Sequence, residues 1–172
     1  AHVFAADASD RMDQIILSGS VDVPKDEFNF FPSPPTVVAR LIELADIEPG
    51  MRVLEPSAGQ GAIAWACAEA GALVDCYEIQ QGNAFALAMA APVDLGRTVT
   101  ADFLTIAPEP VYDRVVMNPP FMKQADIKHV THAHKFLKPG GLLVAVMAAG
   151  ITFRTDARTK AFLELVDAHG GH

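Results

Sequence analysis

From residue 35 onward the apolar positions of this chain change their period several times. Val38, Leu41, Ile42 and Ala45 recur at helical spacing behind Pro35, a residue suited to the first turn of a helix, and Pro49-Gly50 is expected to end that helix. Short apolar runs then alternate with longer helical patterns. Strands are expected at 51–54, 73–77, 98–101, 113–117 and 142–147, and helices at 60–70, 82–90, 126–137 and 155–168. The strand runs are apolar without alternation, which fits strands covered on both faces. The pattern therefore predicts an α/β fold with a mostly parallel sheet. The pattern stops after the fifth strand and its helix, so the terminal strand pair that would complete such a sheet is expected to be missing. Residues 1–31 read as an N-terminal extension with one amphipathic helix at 10–17, and residues 32–172 as the domain.

Composition narrows the class. At 172 residues, 51% hydrophobic and 20% charged, the chain suits one well-buried globular domain and excludes disorder. Its net charge of -8 argues against a uniformly basic, nonspecific nucleic-acid binder. The charge is uneven, however. Lys123, Lys128, Lys135, Lys138, Arg154, Arg158 and Lys160 fall in a stretch whose only acids are Asp126 and Asp156, so a cationic patch on an acidic body is expected, with a solvated helical face as the plain alternative. Cys67 and Cys76 sit in apolar runs without metal-ligand spacing and read as buried thiols, in keeping with a reducing, cytoplasmic setting. No uncharged stretch reaches the length of a membrane span, and no signal-peptide pattern opens the chain.

The candidate chemistry sits at strand ends. Glu55-Pro56-Ser57-Ala58-Gly59-Gln60-Gly61 joins the first of the alternating strands to its helix. Two glycines there let the backbone approach a ligand, and the helix start offers free N–H groups. Glu78 closes the next strand, 19 residues after Gly59, where a carboxylate can accept from both hydroxyls of a ribose. Asp102 with Phe103 follows the third strand and could read and cover an adenine ring; an Asp there is equally a helix cap. The spacing Gly59-x-Gly61-x-x-Ala64 also satisfies a dinucleotide fingerprint. The carboxylate of Glu55 at the strand tip repels a pyrophosphate and suits a ligand bearing positive charge, and no Lys follows the glycines as a phosphate-binding loop requires.

After the fourth strand comes Asn118-Pro119-Pro120-Phe121. Two prolines remove two N–H donors and stiffen the chain, leaving the Asn118 side chain and the adjacent carbonyl as outward acceptors for an NH2 group. Phe121 supplies a planar face for a base or an amide.

The glycine segment resembles motif I of class I S-adenosylmethionine-dependent methyltransferases, and Asn118-Pro119-Pro120-Phe121 resembles motif IV of their amino-methylating branch, which includes the N6-adenine methyltransferases. Phe31-Pro32-Ser33-Pro34 is similar to the N-terminal motif some of these enzymes place around the cofactor methionine. The resemblance implies a Rossmann-like three-layer sandwich with S-adenosyl-L-methionine as cofactor. It places Glu55, Pro56, Gly59 and Gly61 at the methionine end, Ser33-Pro34 with Phe31 closing over it, Glu78 and Ile79 at the ribose, and Asp102 with Phe103 at the adenine. Asn118, also counted among the cofactor-binding residues, and the Pro119 carbonyl would hold the target NH2, beside Pro120, with Phe121 against the target's plane. The implied activity is N-methylation of adenine N6 in DNA or RNA. The alternatives are a protein glutamine amide as target, or a cofactor-binding module that works with a protein partner or a second copy supplying target recognition.

Other constellations carry less. His129-x-x-His132-x-His134 lacks a completing ligand set apart from Asp126 and reads, with Lys128 and Lys135, as a basic face beside the target pocket rather than a metal site. Trp65 reads as core. Ser57 has no nucleophile-elbow sequence around it.

Overall fold

The computed structural model describes residues 32–90 and 95–171. The expected extension at 1–31, its helix at 10–17 and Phe31 lie outside the described residues. The described elements are α1 (Pro35–Ala45), β1 (Arg52–Glu55), α2 (Ala62–Glu69), β2 (Leu73–Glu78), α3 (Gln81–Ala90), β3 (Thr98–Thr100), β4 (Tyr112–Met117), α4 (Ala125–Ala133), β5 (Leu137–Ala145) and α5 (Ala157–Ala168). The five strands pair in the order β3-β2-β1-β4-β5, every pair parallel. This is the expected α/β, Rossmann-like architecture.

Successive strand residues point to opposite faces, and here both faces are apolar. On one side Val53, Val74, Cys76 and Val116 pack with Leu41 of α1, Ile63 of α2 and Leu87 of α3. On the other, Leu54, Tyr77, Val115 and Met117 pack with Ile127 and Val130 of α4 and Phe162 of α5. Three layers result, and the unbroken apolar runs are their direct signature. Cys67 and Cys76 are buried free thiols whose burial raises their pKa values. Among the described residues no helix is long and apolar enough to cross a membrane.

Several boundaries differ from the sequence reading. The first helix ends at Ala45, ahead of Pro49-Gly50: Asp46 turns left-handed at φ 47°, and the Arg114 guanidinium donates to the carbonyls of Ala45 and Asp46, replacing the next helical turn. The second starts at Ala62 because Gly59 and Gly61 have φ of 54° and 97°, outside the helical range. The helix after Asn118 gives way after Ala133 to a 3-10 turn at His134–Phe136, and β5 begins at Leu137 rather than at Leu142. Pro139-Gly140-Gly141 reads as a turn, yet it lies within the strand as an irregularity, where pairing steps from Tyr112 opposite Leu137 to Arg114 opposite Leu142.

Polar stitching concentrates at the starts of the strands. Asp75 accepts from Tyr112 Oη (2.8 Å), the Arg97 backbone (2.8 Å) and Arg52 Nη2 (3.0 Å). The C-terminal strand ends open onto a cavity.

Candidate active site

In a parallel sheet the strand ends and their following loops converge on one edge, and a crevice forms where the strand order reverses. That reversal lies between β1 and β4. Glu55 ends β1, Glu78 ends β2, Asp102 follows β3 and Asn118 follows β4, and all four line one cavity of about 330 Å³.

The loop after β1 is held by main-chain geometry. Gly59 N–H donates to Glu78 Oε2 and Gln80 N–H to Glu78 Oε1, both at 2.7 Å, and Ala58 N–H donates to the Tyr77 carbonyl at 2.9 Å. The carboxylate at the end of β2 thus organises the glycine turn as well as facing the cavity. Gly61 does not line the cavity. A Cβ there would lie 2.3 Å from Leu87 Cδ1 and 2.8 Å from Trp65, so its lack of a side chain lets α2 close on α3.

Glu55 is 1% exposed, and its Oε2 has no hydrogen-bond partner. Burial pushes its pKa well above the usual carboxylate range; a backbone hydrogen bond at Ala64 opposes this, and the charge of Glu78 adds to it. A carboxyl group whose folded pKa is raised gives its full stability below the unfolded pKa, near 4.3, and loses it as pH rises through the folded value. At neutral pH the ligand-free fold therefore carries a penalty here. Glu55→Gln is expected to raise the melting temperature at pH 7 by roughly 2–4 °C per kcal/mol relieved, with the gain shrinking toward pH 4, and thermal melts across that range check it.

Asn118 lines the cavity; its Nδ2 donates to Ser33 Oγ at 3.0 Å, which orients the amide, and its Oδ1 is buried without a partner. Pro119 and Pro120 continue the wall, and Phe121 stands 41% exposed at its rim. Ser33 and Pro32 close the cavity from the chain before α1, whereas Pro34 caps α1 and does not line it. Pro56 and Ile79 line the cavity.

Asp102 is the helix cap the sequence allows, its Oδ1 accepting from Leu104 N–H at 2.9 Å, and the residue also lines the cavity. Phe103 is buried against Tyr77 (5.6 Å between centroids) and His132 (4.9 Å), with part of its ring reaching the cavity wall.

Trp65 and His129 are among the lining residues that the sequence reading does not assign to the site. Trp65 is a cavity residue and not simply core, and its Nε1 is buried without a partner. The helical spacing of Gly61 and Trp65 was the available signal. As the chain's only tryptophan, it reports directly on occupancy: its emission is expected to change when S-adenosylhomocysteine is titrated in, and an unchanged spectrum at saturation would contradict this placement. His129 also lines the cavity, with Nδ1 3.4 Å from Ser57 Oγ; burial holds its pKa below the usual imidazole value, opposed by Asp102. The three histidines part company. His132 contacts the Ile106 carbonyl at 3.0 Å and His134 packs on His169. Among the described residues no cluster of His, Cys, Asp and Glu could hold a metal ion. The cationic stretch is also divided: Lys138 pairs with Asp113 at 2.7 Å, beside the start of β4.

Unpartnered Glu55 Oε2 and Asn118 Oδ1, together with the unpartnered Trp65 N–H, give the cavity buried acceptors and a donor that await a ligand. A donor set of this kind fits a zwitterionic amino-acid end joined to a nucleoside.

A family model described as methyltransferase small domain matches residues 39–165. Comparison with curated proteins gives no match. Among solved structures, TrmN from Thermus thermophilus is 27% identical at a TM-score of 0.59, over 74% of this chain and 40% of that one. This chain thus spans well under half of TrmN. An RNA methyltransferase from Salinibacter ruber, solved with S-adenosyl-L-homocysteine, is 23% identical at 0.60, over 70% of this chain and 80% of that one. A Pyrococcus horikoshii protein provisionally described as an RNA methyltransferase is 21% identical at 0.66, over 92% and 82%. The last two likenesses are of fold.

Proposed function

Because the chain belongs to the methyltransferase small domain family, whose members act with S-adenosylmethionine, we propose that it methylates an exocyclic nitrogen, with N6 of adenine in RNA or DNA as the target. The observation that carries the choice of nitrogen is Asn118 Oδ1: a buried, unpartnered acceptor on a diproline corner, its amide fixed by Ser33, in a residue that lines the cavity shared by Glu55 and Glu78.

When bound, S-adenosylmethionine supplies an already activated methyl group on a sulfonium. Glu55 would meet the amino group of its methionine end, Trp65 Nε1 would donate to its carboxylate, Glu78 would accept from the ribose hydroxyls through the lone pairs that Gly59 and Gln80 leave open, and Asp102 with Phe103 and Ile79 would hold the adenine. The work left to the protein is alignment and activation of a poor amine nucleophile. Asn118 Oδ1 and the Pro119 carbonyl accept from the target NH2, which raises electron density on nitrogen and directs its lone pair into the cleft. Phe121 packs against the target's plane. Asn118 and Glu55 need no metal for these roles.

The basic stretch that follows Phe121 favours a nucleic-acid target over a glutamine amide. The test is transfer of labelled methyl from S-adenosylmethionine to RNA, DNA and protein substrates, followed by nucleoside analysis. N6-methyladenosine, or its deoxy form, is the expected product; label confined to protein would overturn the reading.

A further inference from the structure

Two segments that the fold joins expose large apolar side chains. Phe121, at the cavity, is 41% exposed, Met122 next to it 55%, and Phe153 86%. Phe153 is distant in sequence, and hydrogen bonds tie its segment to that of Met122. Gln124 Nε2 donates to Asp156 Oδ2 at 3.0 Å and Arg158 Nη1 donates to Gln124 Oε1 at 3.1 Å, so the turn at Met122–Gln124 is clamped to the start of α5, just beyond Phe153. Lys123 and Gln124 hold left-handed φ values of 53° and 60°, a conformation that disfavours residues other than glycine and that the clamp retains.

The same clamp gathers charge. Exposed Lys123 and Arg158 and half-buried Arg154 lie along this surface, with exposed Lys128 one turn after Gln124 on α4. Of the two acids of the stretch, Asp126 is fully buried and accepts from Ala148 N–H, whereas Asp156 is exposed and caps α5, accepting from Thr159 N–H and Thr159 Oγ1. Exposed Lys123, Lys128 and Arg158 outnumber that one exposed carboxylate, so the outward charge of the stretch is positive on a chain of net charge -8, and Arg154 Nη1 is buried without a partner. Cations interleaved with exposed aromatic faces fit a ligand offering phosphates and flat rings together.

We propose that Phe121, Met122 and Lys123, with Phe153, Arg154 and Arg158, form a platform for a single-stranded stretch of nucleic acid, on which nucleotides next to the target base stack while their phosphates meet the cations. This rests on the nucleic-acid reading above and specifies the strand it takes. A duplex hides its base faces within its own stack and offers Phe153 nothing to cover. An acidic peptide would satisfy the cations and leave the aromatic faces bare.

The test is fluorescence anisotropy with labelled oligouridine RNA of about 12 nucleotides, the matching oligodeoxyuridine, and a duplex of equal length, at several salt concentrations. These single strands contain no adenine, so binding is read apart from methyl transfer. Both single strands are expected to bind more tightly than the duplex. Phe153→Ala should weaken them by roughly tenfold, Phe153→Trp should restore binding, and Lys123→Asn, which tolerates the left-handed backbone, should weaken binding and flatten its salt dependence. Affinity for S-adenosylhomocysteine should stay unchanged in each variant. Equal or tighter binding of the duplex, or a Phe153→Ala protein with unchanged affinity, would overturn the platform while leaving methyl transfer standing. Wild-type protein that binds the single strands but not S-adenosylhomocysteine would instead overturn the methyltransferase reading and keep the platform.

Discussion

Asn118→Ala is expected to lower methyl transfer by about a hundred- to a thousandfold while changing affinity for S-adenosylhomocysteine by no more than severalfold, as single-turnover kinetics and calorimetry on one preparation would show. The asymmetry follows from where the side chain sits. Its amide NH2 is already committed to Ser33 Oγ, so the free Oδ1 is the group left to act, and on the proposed reading it serves the nucleophile. Pro119 and Pro120 cannot donate from their backbone nitrogens, so no neighbouring N–H competes for that acceptor, and the stiff corner leaves it no alternative direction. Ser33→Ala should show a smaller fall, because Oδ1 survives and only its orientation loosens. Retention of wild-type turnover by Asn118→Ala would remove the basis for amine activation at this corner.

Much of this site is legible in the sequence because parallel α/β folds put chemistry at strand ends, and strand ends are marked by where apolar runs stop. Glu55, Glu78, Asp102 and Asn118 each end or closely follow such a run, and the structure brings all four to one cavity. What could not be read depends on contacts between distant segments. The stop of α1 at Ala45 is made by Arg114, 69 residues further on, so local signals pointed past it to Pro49-Gly50. Pro139-Gly140-Gly141 has the composition of a turn, and only pairing with β4 absorbs it into β5. Trp65 looks like core because an indole on an apolar helix is usually buried by its neighbours; here Gly61, one turn earlier, leaves the space that lets it reach the cavity wall. The basic stretch from Lys123 to Lys160 divides because Lys138 follows β5 back to the strand starts, where Asp113 awaits it.

Replacing Glu78 is expected to damage the cofactor site more than any other single carboxylate change. The side chain is 7% exposed, and each oxygen takes a backbone N–H at 2.7 Å, one from the glycine turn and one from Gln80. Hydrogen bonds to a charged group are worth about 1.5–3 kcal/mol each, so Glu78→Ala should lower affinity for S-adenosylhomocysteine by more than a hundredfold and the melting temperature by at least about 6 °C. Loss of the loop alone could account for both, which is why the ligand must be varied as well. If the carboxylate also accepts from the ribose, removing the 2′- and 3′-hydroxyls from the ligand should cost wild-type protein far more than it costs Glu78→Ala, a coupling between side chain and hydroxyl that a purely structural role would not produce. Glu78→Gln sharpens the comparison: it keeps the volume, removes the charge and sets an NH2 against one of the two backbone N–H groups, so it should bind almost as poorly as Glu78→Ala. Additive losses across the cycle would confine Glu78 to shaping the turn; a coupled loss places it on the ribose.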